Sequence, residues 1–255
     1  MHKHSILVLL AMMFAAVPGH AATDFDPGDL SSVTDPMVNE LLKMSAVGTG
    51  HRPIQPASAL GLAFGLVIGV EVSGVVVTDE FKTALTTATQ RPASDVPGVI
   101  PVPRISIHKG LPKGFDLGFS WAKYQDMLSL WGLHAAWNFR PGGAGPALGA
   151  RMTYSKSKLY FIDTHYLAID AVASKNLVVI EPYVGTGFQQ WGGTLDVPAG
   201  GATGLPVGVS GSQSGATAHV FGGIPLKLLF IHITGEIDYS FSGITTYGGK
   251  LSLSF

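Results

Sequence analysis

His232, Glu236 and Asp238 are separated by even numbers of residues, so an extended strand carries all three on one face. Imidazole and carboxylate together suggest metal binding or proton transfer. At ~3.3 Å per residue, however, His232 and Glu236 stand about 13 Å apart, too far for one strand to wrap them around a single ion. Asp163 and His165 also share a face, the spacing of a general base and its orienting acid. None of the wider motifs of a hydrolase accompanies them. The glycine-rich stretches 141–149 and 192–211 contain no G-x-x-x-x-G-K-[ST], so no phosphate loop is expected. With no cysteine, a thiol nucleophile, a disulfide framework and an iron–sulfur cluster are excluded. The residues therefore predict no catalytic set, no resident metal and no cofactor.

The elements that must carry these groups repeat with period two. In 229–241 the positions Leu229, Ile231, Ile233, Ile237, Tyr239 and Phe241 alternate with His232, Thr234, Glu236, Asp238 and Ser240. Tyr247, Leu251, Leu253 and Phe255 alternate with Thr246, Lys250, Ser252 and Ser254, and Phe115, Leu117, Phe119 and Trp121 with Asp116, Gly118 and Ser120. Ten such segments are predicted: 59–77, 101–109, 113–123, 127–140, 146–156, 158–173, 176–192, 215–225, 229–241 and 245–255. Pro141-Gly142-Gly143, Lys156-Ser157-Lys158 and Ser174-Lys175-Asn176 read as separators. Gly61, Gly65 and Gly69 form a doubled G-x-x-x-G, which suits a packed membrane helix. The valines that follow favour a strand instead. In 159–173 two phases compete for the apolar face, Tyr160/Ile162/Tyr166 against Phe161/Leu167/Ile169.

Residues 1–21 read as a secretory signal peptide: Lys3, an apolar run over 6–17, then Gly19-His20-Ala21. Three of the nine histidines lie in it. In 22–58, Asp35-Pro36 is a helix-start signal, with Asp35 as cap, and a short helix is expected over 36–45. A helix this short is unstable alone and must dock. The reading preferred here sets it on the periplasmic side, at the mouth where the first strand begins. A plug within the lumen and a partner-binding tail are the alternatives.

Charged residues make up only 13% of the 255 residues, and hydrophobic ones 46%. That excludes disorder. With 16 Lys+Arg against 17 Asp+Glu, no basic surface is available for nucleic acid. Period-two strands build either a water-soluble sandwich, apolar inside, or a membrane barrel, apolar outside. Low charge, aromatics near strand ends and the leader favour the barrel. The two long connections, 78–100 and 193–214, both fall at odd positions, where outer loops belong.

The leader, the Gly- and aromatic-rich alternation and the final strand Lys250-Leu-Ser-Leu-Ser-Phe255 together resemble a Gram-negative outer-membrane β-barrel protein over 59–255. The resemblance implies an all-β fold: a single antiparallel ten-stranded transmembrane barrel with a short N-terminal helix. It also implies outer-membrane localisation, outer-membrane lipid as partner, and engagement of the barrel-assembly machinery through the C-terminal strand, with Phe255 as the assembly signal. The row expected to line the lumen is Glu71, Arg104, His108, Asp116, His134, Arg140, Arg151, Glu181, His232, Glu236, Asp238 and Lys250. Because both signs are present and a buried charge needs a partner, these groups predict a salt-bridged, mostly filled bore. The functional expectation is non-enzymatic: structure, or binding and passage of a small solute. A lipid or peptide hydrolase at the outer rim and a secreted soluble β-sandwich binding module are the alternatives.

Overall fold

The computed structural model describes residues 34–61, 65–89, 92–124, 128–197 and 209–255. The signal peptide read over 1–21 and the start of the segment 22–58 lie outside the described residues. Ten strands follow one another: β1 (Leu66–Val76), β2 (Val99–Gly110), β3 (Phe115–Tyr124), β4 (Leu128–Arg140), β5 (Ala147–Leu159), β6 (Ile162–Ser174), β7 (Tyr183–Val197), β8 (Val209–Leu228), β9 (Ile231–Ser240) and β10 (Thr245–Ser254). Each pairs antiparallel with its sequence neighbours, and β1 pairs with β10 from Val67↔Ser254 to Val75↔Thr246, closing the sheet into a barrel. Closure leaves the sheet with no edge strand, and the starts of β8, over 209–217, and of β2, over 99–104, run past a neighbour on one side. Below, the entry rim is the end where β1 starts and β10 finishes, and the far rim is the opposite end.

The alternation resolves outward. Ile68, Val70 and Val72 on β1, Phe115, Leu117, Phe119 and Trp121 on β3, and Ile231, Ile233, Ile237 and Tyr239 on β9 are all exposed on the outer wall. The competing phases of β6 resolve the same way: Ile169 is exposed, and Tyr166 is buried. Helix α1 (Asp35–Thr49) and helix α2 (Asp79–Thr89) complete the described elements with two single 3-10 turns.

Three expectations are corrected. Lys156-Ser157-Lys158 is not a turn but the end of β5. The chain reverses at Tyr160-Phe161, where Tyr160 takes a positive φ of 50°. Helix α1 runs four residues past the expected end, through Gly48 to Thr49, and Thr34 rather than Asp35 occupies the cap. A glycine inside a helix costs about 1 kcal/mol relative to alanine. Here it permits contact: a Cβ on Gly48 would lie 2.9 Å from Val75 Cγ2.

The third correction is the most consequential. α1 is not at the mouth where β1 begins. It lies inside the far half of the barrel, with Leu42 against Gly193, Val38 against Gly211 and Gly48 against Val75. Residues 50–61 then descend through the bore to the entry rim. His51 meets Ser155, Ala57 meets Ser174, and Leu60 meets Asp116 close to the point where β1 starts. An amphipathic helix too short to stand alone buries its stripe where inward positions are apolar. Val38, Leu42, Met44 and Val47 join Val75, Ile100, Val102, Leu130, Trp191 and Ile244 in one core. At roughly 1.5–3 kcal/mol per fully buried aliphatic side chain, this stripe seats the helix. Thr78 ties α2 to it: its hydroxyl caps Phe81 N–H at 3.1 Å and donates to Glu40 Oε1 at 2.9 Å.

Candidate functional site

The bore therefore has two storeys: an apolar core around α1 in the far half, and a polar network around residues 50–61 below it. One part of the network is built on β1, β2, β3, β4 and β10. Cross-strand register puts Glu71 between Arg104 and Lys250. Lys250 Nζ lies 3.0 Å from Glu71 Oε1, 2.7 Å from His108 Nε2 and 2.9 Å from the Pro53 carbonyl it donates to. The imidazoles of His108 and His134 meet at 4.8 Å, above Gly118. A Cβ there would fall 2.5 Å from a ring nitrogen of each, so only glycine leaves them room. His134 continues to His51 at 3.4 Å, and His51 Nδ1 to Ser120 Oγ at 2.9 Å. Arg104 Nη2 donates to the Thr49 carbonyl at 3.4 Å.

The second part spans β5, β6, β8 and β9 as a chain of alternating sign: Arg151, Asp170, His219, Asp238, Arg52. Arg151 Nε donates to Asp170 Oδ2 at 2.8 Å, and its guanidinium stacks 4.3 Å above the Phe221 ring. Both His219 nitrogens lie 2.8 Å from carboxylate oxygens, one of Asp170 and one of Asp238. That is the geometry of a doubly protonated ring donating twice. Arg52 Nε stands 3.6 Å from Asp238 Oδ2, and its Nη2 donates to the Val47 carbonyl at 3.1 Å. Glu236 accepts the Tyr183 hydroxyl at 2.6 Å.

Of the twelve residues expected inside, Glu71, Arg104, His108, His134 and Lys250 meet in the first part, and Arg151, Glu236 and Asp238 in the second. Asp116 accepts Leu60 N–H near the entry rim at 3.2 Å. Glu181 accepts the Ser174 hydroxyl at 2.7 Å and pairs with Lys227. His232 is half-buried at the entry mouth, far from the partners of Glu236 and Asp238, so the three do not converge. Arg140 is the exception: the ladder shifts register between Asn138 and Arg140, and the bulge leaves Arg140 exposed. Phe255 is exposed on the outer wall, and its N–H donates to the Leu66 carbonyl at 2.8 Å.

Sequence reasoning missed Asp170, His219, His51 and Arg52. The phase of β6 was ambiguous, and His219 sits among glycine and alanine that carry no alternation. His51 and Arg52 belong to a segment placed outside the bore. Asp163 and His165 point outward, and Asp163 pairs with Lys158 instead, at 3.7 Å. Among the described residues no cluster of three or more His, Cys, Asp or Glu is arranged to hold a metal ion.

No family model matches the chain, and no curated protein does. Solved structures with some likeness include the N-terminal β-barrel domain of OprF from Pseudomonas aeruginosa (11% identity, 74% of this chain and 97% of that one, TM-score 0.37). Neisserial surface protein A is similar at 10% identity over 74% and 97%, TM-score 0.32, and Omp33 from Acinetobacter baumannii at 8% over 79% and 100%, TM-score 0.32. Likeness at this level says nothing about what this chain does.

Proposed function

We propose that the chain is an outer-membrane β-barrel stoppered by its own N-terminal segment, working without catalysis as a structural or solute-retaining element of the envelope. The observation that carries this is the course of residues 35–61 through the bore, an apolar plug above and an ion-paired one below. The outward apolar rows support a hydrocarbon surrounding: a water-soluble barrel would turn them inward. The termini of the barrel then lie on the periplasmic side, and β10, which closes the sheet against β1, is the segment offered to the barrel-assembly machinery.

Three arrangements bear on chemistry, and each supports a non-enzymatic reading. Ser120 and His51 form a hydroxyl–imidazole pair, but both are almost wholly buried, walled in by plug and strands. His219 faces two carboxylates and no nucleophile. His165 stands on the outer wall with Asp163 turned to a lysine.

A hollow of about 180 Å³ at the entry mouth supports solute retention. Glu181, Lys227, His232 and Lys250 line it beside Gln55 and Leu60. It suits a small charged solute taken up from the entry side.

Planar-bilayer recording tests the stopper. The full chain should hold the bilayer near baseline, and a chain lacking residues 35–61 should open steps of conductance, its folding checked by heat-dependent gel mobility. Equal conductance from both forms would mean that the segment does not close the bore.

A further inference from the structure

The outer wall is not apolar throughout. In the far half of β5 the outward positions are Lys156 and Lys158, both exposed. Strand register sets them in two adjacent rows across the wall. One runs Lys123, Ser129, Lys158, Asp163, Thr194, Ser212; the next runs Trp121, Trp131, Lys156, His165, Gly192, Ser214. The two rows toward the entry rim are mainly apolar, with Phe119, Leu133, Tyr154 and Leu167, then Leu117, Met152, Ile169 and Phe188. The polar rows thus begin where the apolar wall stops.

Between the polar rows the wall is hollowed by about 770 Å³. Short side chains make the hollow. Gly192 matters most, since a Cβ there would lie 2.5 Å from His165 Cε1; its absence lets the imidazole lie across β7. Trp131 closes the apolar side, edge-on to Tyr154 at 5.8 Å, an amphipathic ring at the place where such rings mark a membrane boundary. Lys156 and His165 have no hydrogen bond or ion pair to another described residue. Lys158 has only Asp163 at 3.7 Å, both side chains more than half exposed. An exposed pair of that kind is worth about 0–1 kcal/mol and yields readily to a better anion. Lys123, Lys156 and Lys158 against Asp163 leave the patch cationic.

We infer that this hollow seats the phosphorylated sugar headgroup of a lipid in the leaflet facing the far rim, with its acyl chains lying along the apolar rows beneath. Position argues for a lipid over a dissolved anion. The hollow opens sideways on the wall and is continuous with surface that only a hydrocarbon tail would cover. Its volume also exceeds what a single phosphate needs. The inference rests on the membrane reading above.

The test uses the full chain in detergent micelles, with native mass spectrometry counting bound lipid. The probes are bis-phosphorylated lipid A and the same lipid stripped of both phosphates. Each lysine near an anionic lipid surface contributes about fivefold, so the phosphorylated form should be retained at least tenfold more tightly. Lys156→Gln with Lys158→Gln should abolish the difference, and Lys113→Gln at the entry rim should preserve it. Equal retention of the two lipids, an unchanged preference in the double variant, or an equal loss in Lys113→Gln would overturn the site. Full displacement by millimolar inorganic phosphate would assign the hollow to a soluble anion and overturn the lipid. A wild-type chain with no heat-dependent gel shift would overturn the membrane reading itself, an outcome separable from lost preference in a chain that shifts.

Discussion

His219 holds two carboxylates apart and together at once. Without it, Asp170 and Asp238 would face each other across the bore with only Arg151 and Arg52 on their outer sides. Buried charges of this kind add little net stability but are costly to orphan. Asp170→Ala leaves Arg151 and His219 each short of a partner, and should cost about 3–5 kcal/mol. In Asp170→Ala with Arg151→Met the second change removes the stranded guanidinium, and part of the loss should return. Urea titration followed by gel mobility reads both, and a double variant no more stable than the single one would deny the coupling. Part of this site was legible in residue types alone. Glu71, Arg104, His108 and Lys250 stand on the polar parity of alternating strands, and alternation sets them inward. Arg140 obeys the same parity and still ends outside, because one bulge inverts everything beyond it. No spacing rule announces a bulge.

Strands were easier to read than the segment they enclose, for a physical reason. A barrel strand reports its two environments in its own sequence, one residue to each side. A plug reports only that it has an apolar stripe, and an apolar stripe docks wherever another one waits. The stripe of α1 finds its partner at inward Val75, Ile100, Val102, Leu130 and Trp191, five positions on four separate strands. Nothing local to residues 35–49 names those five. Leu42, fully buried beside Gly193, is central to the docking. Leu42→Ala should weaken it by about 2–5 kcal/mol. The loss should appear in α1 first: amide hydrogens over 38–49 should exchange faster while β1 and β10 stay protected. Uniform acceleration across helix and strands would mean that helix and barrel unfold as one unit, and that the plug is not a separable element.

At the scale of the whole molecule the decisive property is polarity turned inside out. A soluble barrel of ten strands would hide Ile68, Phe119, Ile233 and Leu251; here they are the surface. Ion pairs that would be worth little in water lie instead inside the bore, from strand to strand and, at Arg52–Asp238, from plug to wall, where each charge needs its neighbour. Closure is what makes the inversion tolerable, because a hydrocarbon surrounding leaves no backbone group free to find water. Tryptophans sample both sides of the wall. Trp121 and Trp137 stand on the outer face at 45% and 47% exposure, and Trp191 is inside at 4%. Variants keeping one of these three at a time, refolded into vesicles of brominated-chain lipid, measure the contact directly, because bromine quenches only a ring it nearly touches. Emission from Trp121 and Trp137 should fall several-fold further than emission from Trp191, which the core around α1 shields. If Trp191 were quenched as strongly as the outer pair, lipid chains would be reaching the bore and the plug would not fill it. If none were quenched, the apolar rows would not be meeting hydrocarbon, and the location, the stopper and the headgroup site would all lose their footing together.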